Sequence, residues 1–208
     1  MPLILAFSGK LGSGKDTAAD RLSALSIAPN RRISFAKKLK ESAAALFGID
    51  PAEWEWMKND PNAYLRFVHV PPGVAGDGSS SLIAELTARE FLQRYGTEAH
   101  RDVFGENFWT DQAFKEYDTF VSPTTLLWLA TDCRFENEAK AIKNRGGLIY
   151  KVIGVDEETG THVSEAGLPE HYFDGEIRNT IRDDNFANLD NELRALALTR
   201  HIPVTPWV

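Results

Sequence analysis

The stretch LILAFSGKLGSGKDT, residues 3–17, decides the fold of this chain. Its apolar beginning, residues 3–8, has the pattern of a parallel strand buried in a sheet, and a helical pattern covers residues 15–26. The glycines between them allow a tight turn, in which successive backbone N–H groups point at a polyphosphate beside the positive N-terminal end of the helix. Strand, loop and helix in this order predict an α/β protein that binds a nucleotide. The alternative is a glycine-rich turn that binds nothing.

Lys15 is placed in this loop to reach the β- and γ-phosphate oxygens of a nucleotide. The position after such a lysine usually carries a serine or threonine whose hydroxyl binds Mg²⁺, but here it is Asp16, and the hydroxyl follows at Thr17. We therefore expect Asp16 and Thr17 to bind the metal. The predicted nucleotide-binding residues are Gly9, Lys10, Gly12, Ser13, Gly14, Lys15, Asp16 and Thr17.

The composition is that of a soluble globular protein. Hydrophobic residues make up 43% and charged residues 25% of the 208 residues, and we expect one domain over residues 1–208. No apolar run approaches the ~18 residues of a membrane span, and the N-terminus lacks a secretory leader pattern. The single cysteine, Cys133, fits a reducing cytoplasm, and the net charge of -7 argues against duplex nucleic acid as a partner. We expect a cytoplasmic protein without a membrane partner.

Hydrophobic periodicity and start and stop signals predict further elements along the chain. The predicted strands cover residues 32–35, 125–131 and 148–153. The predicted helices cover residues 36–47, 82–95, 97–117, 136–144 and 189–198, with Thr97 as the N-cap of the third. This pattern is that of an α/β fold.

Asp132 follows the nearly continuous apolar run of residues 125–131, which is typical of a central strand. Ligands of open α/β sheets bind at the carboxyl ends of the strands, and an acid there commonly holds Mg²⁺ directly or through water. Arg134 lies two residues further on, so that a carboxylate and a guanidinium suit a metal and a phosphoryl group at one strand end. The alternative is an ion pair between Asp132 and Arg134 that caps the next helix.

Arginines alternate with aromatic residues between residues 89 and 109. A guanidinium binds phosphate through two hydrogen bonds, and a flat ring stacks on a base, so we expect Arg89, Arg101 and Trp109 to bind a phosphate acceptor. Lys40, one turn into a helix, is a further candidate for the acceptor's phosphate. The alternative keeps the aromatic residues in the core and the arginines on a solvated face.

Two segments lack clear periodicity. Residues 49–81 are rich in proline, glycine and serine, and we expect a loop-rich, mobile insertion on the acceptor side. Residues 156–186 are polar and irregular, and we expect a lid there that closes on bound nucleotides and excludes water.

On these residues the chain resembles the bacteriophage deoxynucleoside monophosphate kinases, which are of the P-loop nucleoside monophosphate kinase type. The motifs that carry the resemblance are the loop that ends at Thr17, Phe35-Ala36 with Leu39-Lys40, Arg89-Glu90 to Gln93, Gly96-Thr97-Glu98 with Arg101, Phe108-Trp109, Asp132 to Glu138, and His162 to Glu165. The resemblance implies a three-layer P-loop fold with a five-stranded parallel sheet flanked by helices. It also implies ATP with Mg²⁺ as donor, a deoxynucleoside monophosphate as acceptor, often a dimer, and the host cytoplasm if a phage encodes the chain.

The expected activity is the reversible transfer of the γ-phosphoryl group of ATP to a deoxynucleoside monophosphate. Lys15 and the loop amides would hold the donor, Asp16 and Asp132 would organise the metal, and Arg134 would neutralise charge on the group in transfer. One alternative is a kinase of similar fold for a small metabolite such as phosphomevalonate or dephospho-coenzyme A. Another is a non-catalytic ATP-binding regulator, which would need neither Arg134 nor the acceptor arginines.

Overall fold

A computed structural model describes residues 3–10, 12–69, 82–120, 126–154, 167–180 and 185–206. The strands are β1 (Leu3–Ser8), β2 (Asn30–Ile33), β3 (Tyr64–His69), β4 (Leu82–Thr87), β5 (Leu127–Ala130), β6 (Leu148–Gly154) and β7 (Gly175–Asn179). The α-helices are α1 (Lys15–Leu25), α2 (Lys37–Phe47), α3 (Pro51–Asn59), α4 (Ala88–Gly96), α5 (Asp102–Phe104), α6 (Phe108–Thr119), α7 (Glu136–Asn144) and α8 (Ala187–Thr199). A π-helical turn covers Thr97–Arg101, and a 3-10 turn covers Glu170–Tyr172.

The chain forms two compact units, of which unit 1 comprises residues 1–35 and 110–208 and unit 2 comprises residues 36–109. The assignment of residues 1–208 to one domain stays a prediction. No helix within the described ranges is long and apolar enough to cross a membrane.

Unit 1 is built on a five-stranded parallel sheet in the order β2-β5-β1-β6-β7. Side chains along β1 alternate between the two faces, because successive residues of a strand point in opposite directions. Leu5 and Phe7 pack with apolar residues of α1 and α8, while Ile4 and Ala6 pack with those of α6 and α7. Helices therefore cover both faces of the sheet, and the predicted three-layer fold with five parallel strands is confirmed.

Unit 2 combines α2, α3 and α4 with an antiparallel hairpin of β3 and β4. Its core is built around Trp54, which is fully buried among small and aliphatic side chains of α2, α4 and β3. Helix α4 begins with a capping box, in which the side chains of Thr87 and Glu90 each accept hydrogen bonds from the other's backbone N–H.

The loop-rich prediction for residues 49–81 is wrong for its described first part. Asp50 accepts a hydrogen bond from the N–H of Ala52 at 2.8 Å and caps α3, while Pro51 occupies the first turn, where its missing N–H costs nothing. The proline therefore starts a helix here, whereas we had interpreted it as a sign of a loop. Strand β3 follows, and residues 70–81 lie outside the described residues.

The predicted helices over residues 82–95 and 97–117 are also wrong in part. Residues 82–87 pair with β3 as strand β4, since a partner strand overrides a weak helical pattern. Gly96 has helical dihedral angles, φ -73° and ψ -37°, so the chain continues into the π-helical turn without a new N-cap at Thr97. The N–H of Thr97 instead donates to the carbonyl of Gln93.

The region expected to be an irregular lid, residues 156–186, contains the fifth strand of the sheet. Strand β7 lies at an edge beside β6, and within it only Ile177 is buried. Because a single apolar residue gives almost no periodic signal, the sequence does not reveal this strand. Residues 155–166 and 181–184, on which about half of the lid prediction falls, lie outside the described residues.

Candidate active site

The phosphate-binding loop turns at two glycines with left-handed backbone conformation. Gly12 has φ +80° and Gly14 has φ +86°, values that side chains other than hydrogen strongly disfavour. A Cβ atom on Gly14 would also lie 2.2 Å from the amide nitrogen of Asn179. Conformation and space therefore both require glycine at position 14, where the loop passes into α1.

The loop lies directly on the carboxyl ends of β6 and β7. The Asn179 side-chain amide donates a hydrogen bond of 3.1 Å to the carbonyl of Ser13. Gly154, the last residue of β6, lies so close to the loop that a Cβ atom on it would be 2.7 Å from the Cα of Ser13. Gly9 is equally close to the carbonyl of Val152, at 2.6 Å for an added Cβ atom. These contacts fix the loop backbone at the sheet edge.

Two polar side chains of the loop are almost fully buried. Lys15 is 7% exposed and donates to the carbonyl of Lys10 at 3.4 Å, a long contact for a hydrogen bond. Ser13 is fully buried, and its hydroxyl has no hydrogen-bond partner among the described residues. A buried polar atom without a partner is unfavourable, and a phosphate oxygen at the loop would satisfy it.

The three predicted metal ligands all offer oxygen atoms. Asp16 is exposed in the first turn of α1, Thr17 is half-buried beside it, and Asp132 accepts a hydrogen bond of 2.7 Å from the hydroxyl of Ser34. In the described part of the chain, no three His, Cys, Asp or Glu side chains form a metal cluster. The oxygen atoms of Asp16, Thr17 and Asp132 suit Mg²⁺, which takes oxygen ligands and usually binds one or two carboxylates together with substrate phosphates.

The segment after β5 is fixed to the start of the loop. Strands β1 and β5 are neighbours in the sheet, and the hydroxyl of Ser8 donates to the carbonyl of Cys133 at 2.8 Å. The structure thus brings Asp132 and Arg134 to the same sheet edge as the loop. Burial raises the pKa of the Cys133 thiol well above its ordinary value, and the charges of Glu138 and Asp132 add to this effect, so the thiol is no nucleophile.

The Arg134 backbone is fixed, while its guanidinium forms no ion pair within the described residues. The buried carboxylate of Glu138 accepts hydrogen bonds from the N–H of Arg134 at 2.8 Å and of Phe135 at 3.0 Å. The described contacts of Asp132 include Ser34 but no ion pair with Arg134. The alternative of an Asp132–Arg134 ion pair is therefore not what the structure contains.

Two of the predicted acceptor residues in unit 2 lie beside other charged side chains. Lys40 on α2 contacts the carboxylate of Glu55 at 2.9 Å, and Lys58 on α3 binds the same carboxylate. Arg89 is exposed in the first turn of α4, and its charge acts on Lys58. These four residues are called the basic cluster below.

Trp109 is packed inside unit 2. Its side chain is 5% exposed, and the indole N–H donates to the carbonyl of Gly96 at 3.1 Å. The ring contacts His100 at 4.8 Å and Phe108 at 4.9 Å between centroids. This geometry favours packing over stacking on a base. Arg101, in the π-helical turn, is half-buried.

Sequence reasoning missed the residues that position the predicted ones. Asn179, Ser34 and Glu55 contact site residues only because the fold brings distant segments together, and no local pattern marks them. Glu138 carries a local signal, since an acid three residues after the residue preceding a helix commonly accepts backbone N–H bonds there.

The solved structures that superpose on this chain have low sequence identities and low TM-scores. The tunicamycin resistance protein of Deinococcus radiodurans superposes with a TM-score of 0.47 and 12% identity over 100% of both chains. A shikimate kinase of Bacteroides thetaiotaomicron gives a TM-score of 0.42 and 11% identity over 96% of this chain and 99% of that chain. We draw no argument from likenesses at this distance.

Similarity in sequence is more informative. The deoxynucleoside-5'-monophosphate kinase of Escherichia phage T5 is 25% identical in an alignment that covers 93% of this chain and 95% of that protein. The model of a protein family described as deoxynucleotide monophosphate kinase matches residues 77–192, a segment that contains Arg89, Arg101, Trp109, Asp132 and Arg134. Because this match covers more than half of the 208 residues, the chain belongs to the deoxynucleotide monophosphate kinase family.

Proposed function

We propose that this protein transfers the γ-phosphoryl group of ATP to a deoxynucleoside monophosphate, giving a deoxynucleoside diphosphate and ADP. Its family membership makes the chain a phosphotransferase that acts on a nucleotide. The observation that carries the proposal is the hydrogen bond between Ser8 and Cys133. It joins the start of the phosphate-binding loop to the segment that carries Asp132 and Arg134, and this supports a common site at that sheet edge.

In this proposal the loop binds the donor. The backbone N–H groups between Gly9 and Thr17, the ammonium of Lys15 and the buried hydroxyl of Ser13 bind phosphate oxygens of ATP, at the N-terminal end of α1. The glycines and Asn179 hold the loop in this conformation before ATP arrives. A preorganised loop does not lose binding energy to ordering its backbone.

The oxygen atoms of Asp16, Thr17 and Asp132 fit Mg²⁺, and we assign them to it. When bound with ATP, the metal neutralises charge on the β- and γ-phosphates. Ser34 orients the carboxylate of Asp132 by donating to one of its oxygens. Asp16 is exposed, and its carboxylate has no hydrogen bond to another of the described residues.

Arg134 acts on the phosphoryl group during transfer. Its guanidinium forms no ion pair with a carboxylate of the described residues, and its planar fork suits two phosphoryl oxygens at once. Glu138 fixes the backbone from which this side chain extends. We therefore propose that Arg134 stabilises the charge that develops in the transition state.

The acceptor's phosphate is bound, in this proposal, by the cations of unit 2, namely Lys40, Arg89 and Arg101. No general base is required, because the attacking phosphate oxygen is already ionised at neutral pH. The predicted contact of Trp109 with the base is left out of the proposal, since its ring is buried in packing.

The proposal extends to setting and assembly. The phage origin of the relative supports action in the cytoplasm of a host cell, and the net charge of -7 supports free nucleotides rather than duplex nucleic acid as partners. We also propose a homodimer and no association with membranes. Light scattering of the purified protein tests whether it is a dimer. Sedimentation with lipid vesicles tests whether it associates with membranes.

A coupled assay tests the reaction. ADP release is followed with ATP, Mg²⁺ and each deoxy- or ribonucleoside monophosphate in turn, and with phosphomevalonate and dephospho-coenzyme A as competing acceptors. Phosphorus NMR identifies the product as a nucleoside diphosphate. Lys15→Ala is the inactive comparison, with an expected loss of about a hundredfold or more in kcat, and Lys38→Ala, on the exposed face of α2, is the matched control.

We expect ADP release to depend on a deoxynucleoside monophosphate and on Lys15. Release that occurs equally with no acceptor, or that depends on one of the two metabolites instead, would contradict the proposal. Full activity of Lys15→Ala would show that the phosphate-binding loop has no role in the reaction.

A further inference from the structure

The basic cluster joins three cations and one carboxylate on three helices of unit 2. Both lysine ammonium groups contact the same side chain: Lys40 at 2.9 Å from one oxygen of Glu55, and Lys58 through the other oxygen. Arg89 adds a third positive charge nearby. Since no other carboxylate pairs with these lysines among the described residues, the cluster carries a net positive charge of about two.

The ionisation of the cluster reflects this imbalance. Burial lowers the pKa of the Lys58 ammonium, and the charges of Lys40 and Arg89 act in the same direction, while Glu55 opposes them. Burial alone would raise the pKa of the Glu55 carboxyl, but the hydrogen bonds from Lys58 and Lys40 outweigh it and lower the pKa. Glu55 therefore stays ionised at neutral pH and is the anion that both lysines share.

The positions of the cations on their helices do not serve helix stability. Lys40 lies in the first turn of α2, which contains no acid, and Arg89 lies in the first turn of α4. Cations at the N-terminal end oppose the helix dipole, which favours anions there. An anionic ligand would gain from both helix ends and from both cations.

Glu55 is well placed to leave the cluster. Its side chain is 46% exposed, whereas that of Lys58 is 21% exposed, so the Glu55 side chain has more access to water than the Lys58 side chain. A phosphate monoester brings a charge of about -1.5 to -2 at neutral pH, against -1 for the carboxylate. It also offers three oxygens to the two lysines and the arginine. Phosphate thus matches the cluster better than Glu55 does.

Resting on the proposed function, we propose that Glu55 is a counter-anion that the acceptor's phosphate displaces, and that Lys58 is a further phosphate-binding residue. In the free protein Glu55 holds Lys40 and Lys58 together and so keeps the phosphate site assembled. On binding, the phosphate monoester takes both ammonium groups, and the carboxylate turns to solvent. The exchange is non-covalent and changes no protonation state. Glu55 therefore competes with the substrate while it preserves the site.

Direct binding separates this role from a structural ion pair. The affinity for dTMP, for inorganic phosphate and for thymidine, which lacks the phosphate, is measured by calorimetry for the wild type and for Glu55→Gln, Lys58→Met and Lys58→Arg. The matched controls are Glu41→Gln and Lys38→Met, since Lys38 and Glu41 form an exposed pair of 2.8 Å on α2. Melting temperatures are recorded for every variant.

We expect Glu55→Gln to tighten dTMP binding by about three- to tenfold, an effect of the size of one ion pair, and to leave thymidine binding unchanged. Lys58→Met should weaken dTMP binding by about tenfold or more, with partial rescue in Lys58→Arg. Both effects should shrink as salt is added, because added ions screen the charges. Glu41→Gln and Lys38→Met should bind dTMP like the wild type.

Weaker or unchanged dTMP binding in Glu55→Gln, together with a lower melting temperature, would overturn the inference and leave a structural ion pair. If Lys58→Met and the wild type bound dTMP with equal affinity, Lys58 would not be a phosphate-binding residue. The wild type is also titrated with dAMP, dGMP and dCMP, and a wild-type protein that binds none of the four monophosphates would instead refute the proposed function, so the two failures are distinguishable.

Discussion

Arg134 combines a fixed backbone with a guanidinium that forms no described ion pair, and this combination makes the geometry of its head group testable. Arg134→Lys keeps the charge but replaces a planar fork by a point charge that cannot hold two phosphoryl oxygens in one plane. We expect kcat to fall by about a hundredfold with little change in the KM of either substrate, as for an interaction made in the transition state. Steady-state kinetics with both substrates varied checks this.

Arg21→Lys is the control for this exchange. Arg21 lies on α1 and forms a two-pronged ion pair with Asp190 of α8, so its guanidinium is engaged within unit 1. We expect its replacement to leave kcat unchanged. If Arg134→Lys also turned over like the wild type, Arg134 would have no role on the phosphoryl group.

Asp16 differs from its neighbours in the loop because it is exposed and stands where a hydroxyl is usual. Asp16→Ser restores that hydroxyl and removes a carboxylate. We expect ATP to bind as before, since the backbone and Lys15 make the phosphate contacts, while the Mg²⁺ concentration needed for half-maximal rate rises severalfold. Metal titrations at saturating ATP measure this, with Asp20→Ser, exposed on α1, as the comparison. An unaltered metal titration would show that the charge of Asp16 only stabilises the N-terminal end of α1.

At the residue level the sequence predicts the loop well, because its function requires a short contiguous motif. Gly14 is an example, since the motif alone demands a glycine there. The sequence does not predict that Trp109 is buried against Gly96, because an aromatic residue between arginines fits a core and a base-binding site equally. Asn179 is likewise hidden, since its contact with the loop spans 166 positions.

Among the elements, β7 acts on the loop through its last residue. The Asn179 amide holds the Ser13 carbonyl and fills the space beside Gly14. Asn179→Ala removes this hydrogen bond, which is worth about 1 kcal/mol, or about a fivefold change in an equilibrium constant. We therefore expect the KM for ATP to rise about fivefold, while the KM for the acceptor and kcat change little. Initial rates at varied ATP check the shift.

Asn191→Ala, on the exposed face of α8, is the matched control and should leave all three constants unchanged. Hydrogen exchange of the Gly9–Thr17 amides gives a second readout, because a loosened loop exchanges faster even without ATP. Equal exchange and equal KM in Asn179→Ala and the wild type would show that the glycines alone fix the loop.

The elements that the sequence predicts well are those whose pattern is strong and local. Helix α7 has the predicted bounds, residues 136–144, because a capping acid and two glycines mark its ends. Strand β4 was predicted as helix, since its partner β3 lies 18 residues earlier and leaves no local trace. The sequence does not predict strand β7, because the strand forms by pairing with β6 and only Ile177 within it is buried.

The whole molecule holds several carboxylates in favourable hydrogen bonds, and its acid stability follows from them. The bonds from Arg145 lower the pKa of Asp118, and those from Tyr172 and Lys140 lower the pKa of Glu136. A carboxyl pKa below its unfolded value stabilises the fold above that value, and the contribution is lost as the pH falls through the folded pKa. We expect a constant melting temperature from about pH 7 to 5 and a decline below about pH 4.5.

Asp118→Asn isolates one contribution. The variant cannot ionise, and because the pair with Arg145 is partly exposed, we expect a loss of no more than about 1 kcal/mol at neutral pH. Its melting temperature should approach that of the wild type only as the pH falls through the lowered pKa of Asp118, below the ordinary value of about 3.8, where both side chains become uncharged. Parallel curves for the two proteins over the whole pH range would show that Asp118 makes no contribution to acid unfolding.

Cys133, the single cysteine of the chain, is fully buried, and burial raises the pKa of its thiol. We therefore expect it to react slowly with thiol reagents at neutral pH. The native surface therefore offers no competing group to a thiol-specific dye or spin label. A cysteine introduced at any exposed position of unit 1 or unit 2 becomes a unique attachment point without prior removal of the natural one. A label beside the phosphate-binding loop or beside the basic cluster would report local changes there as nucleotides bind and leave.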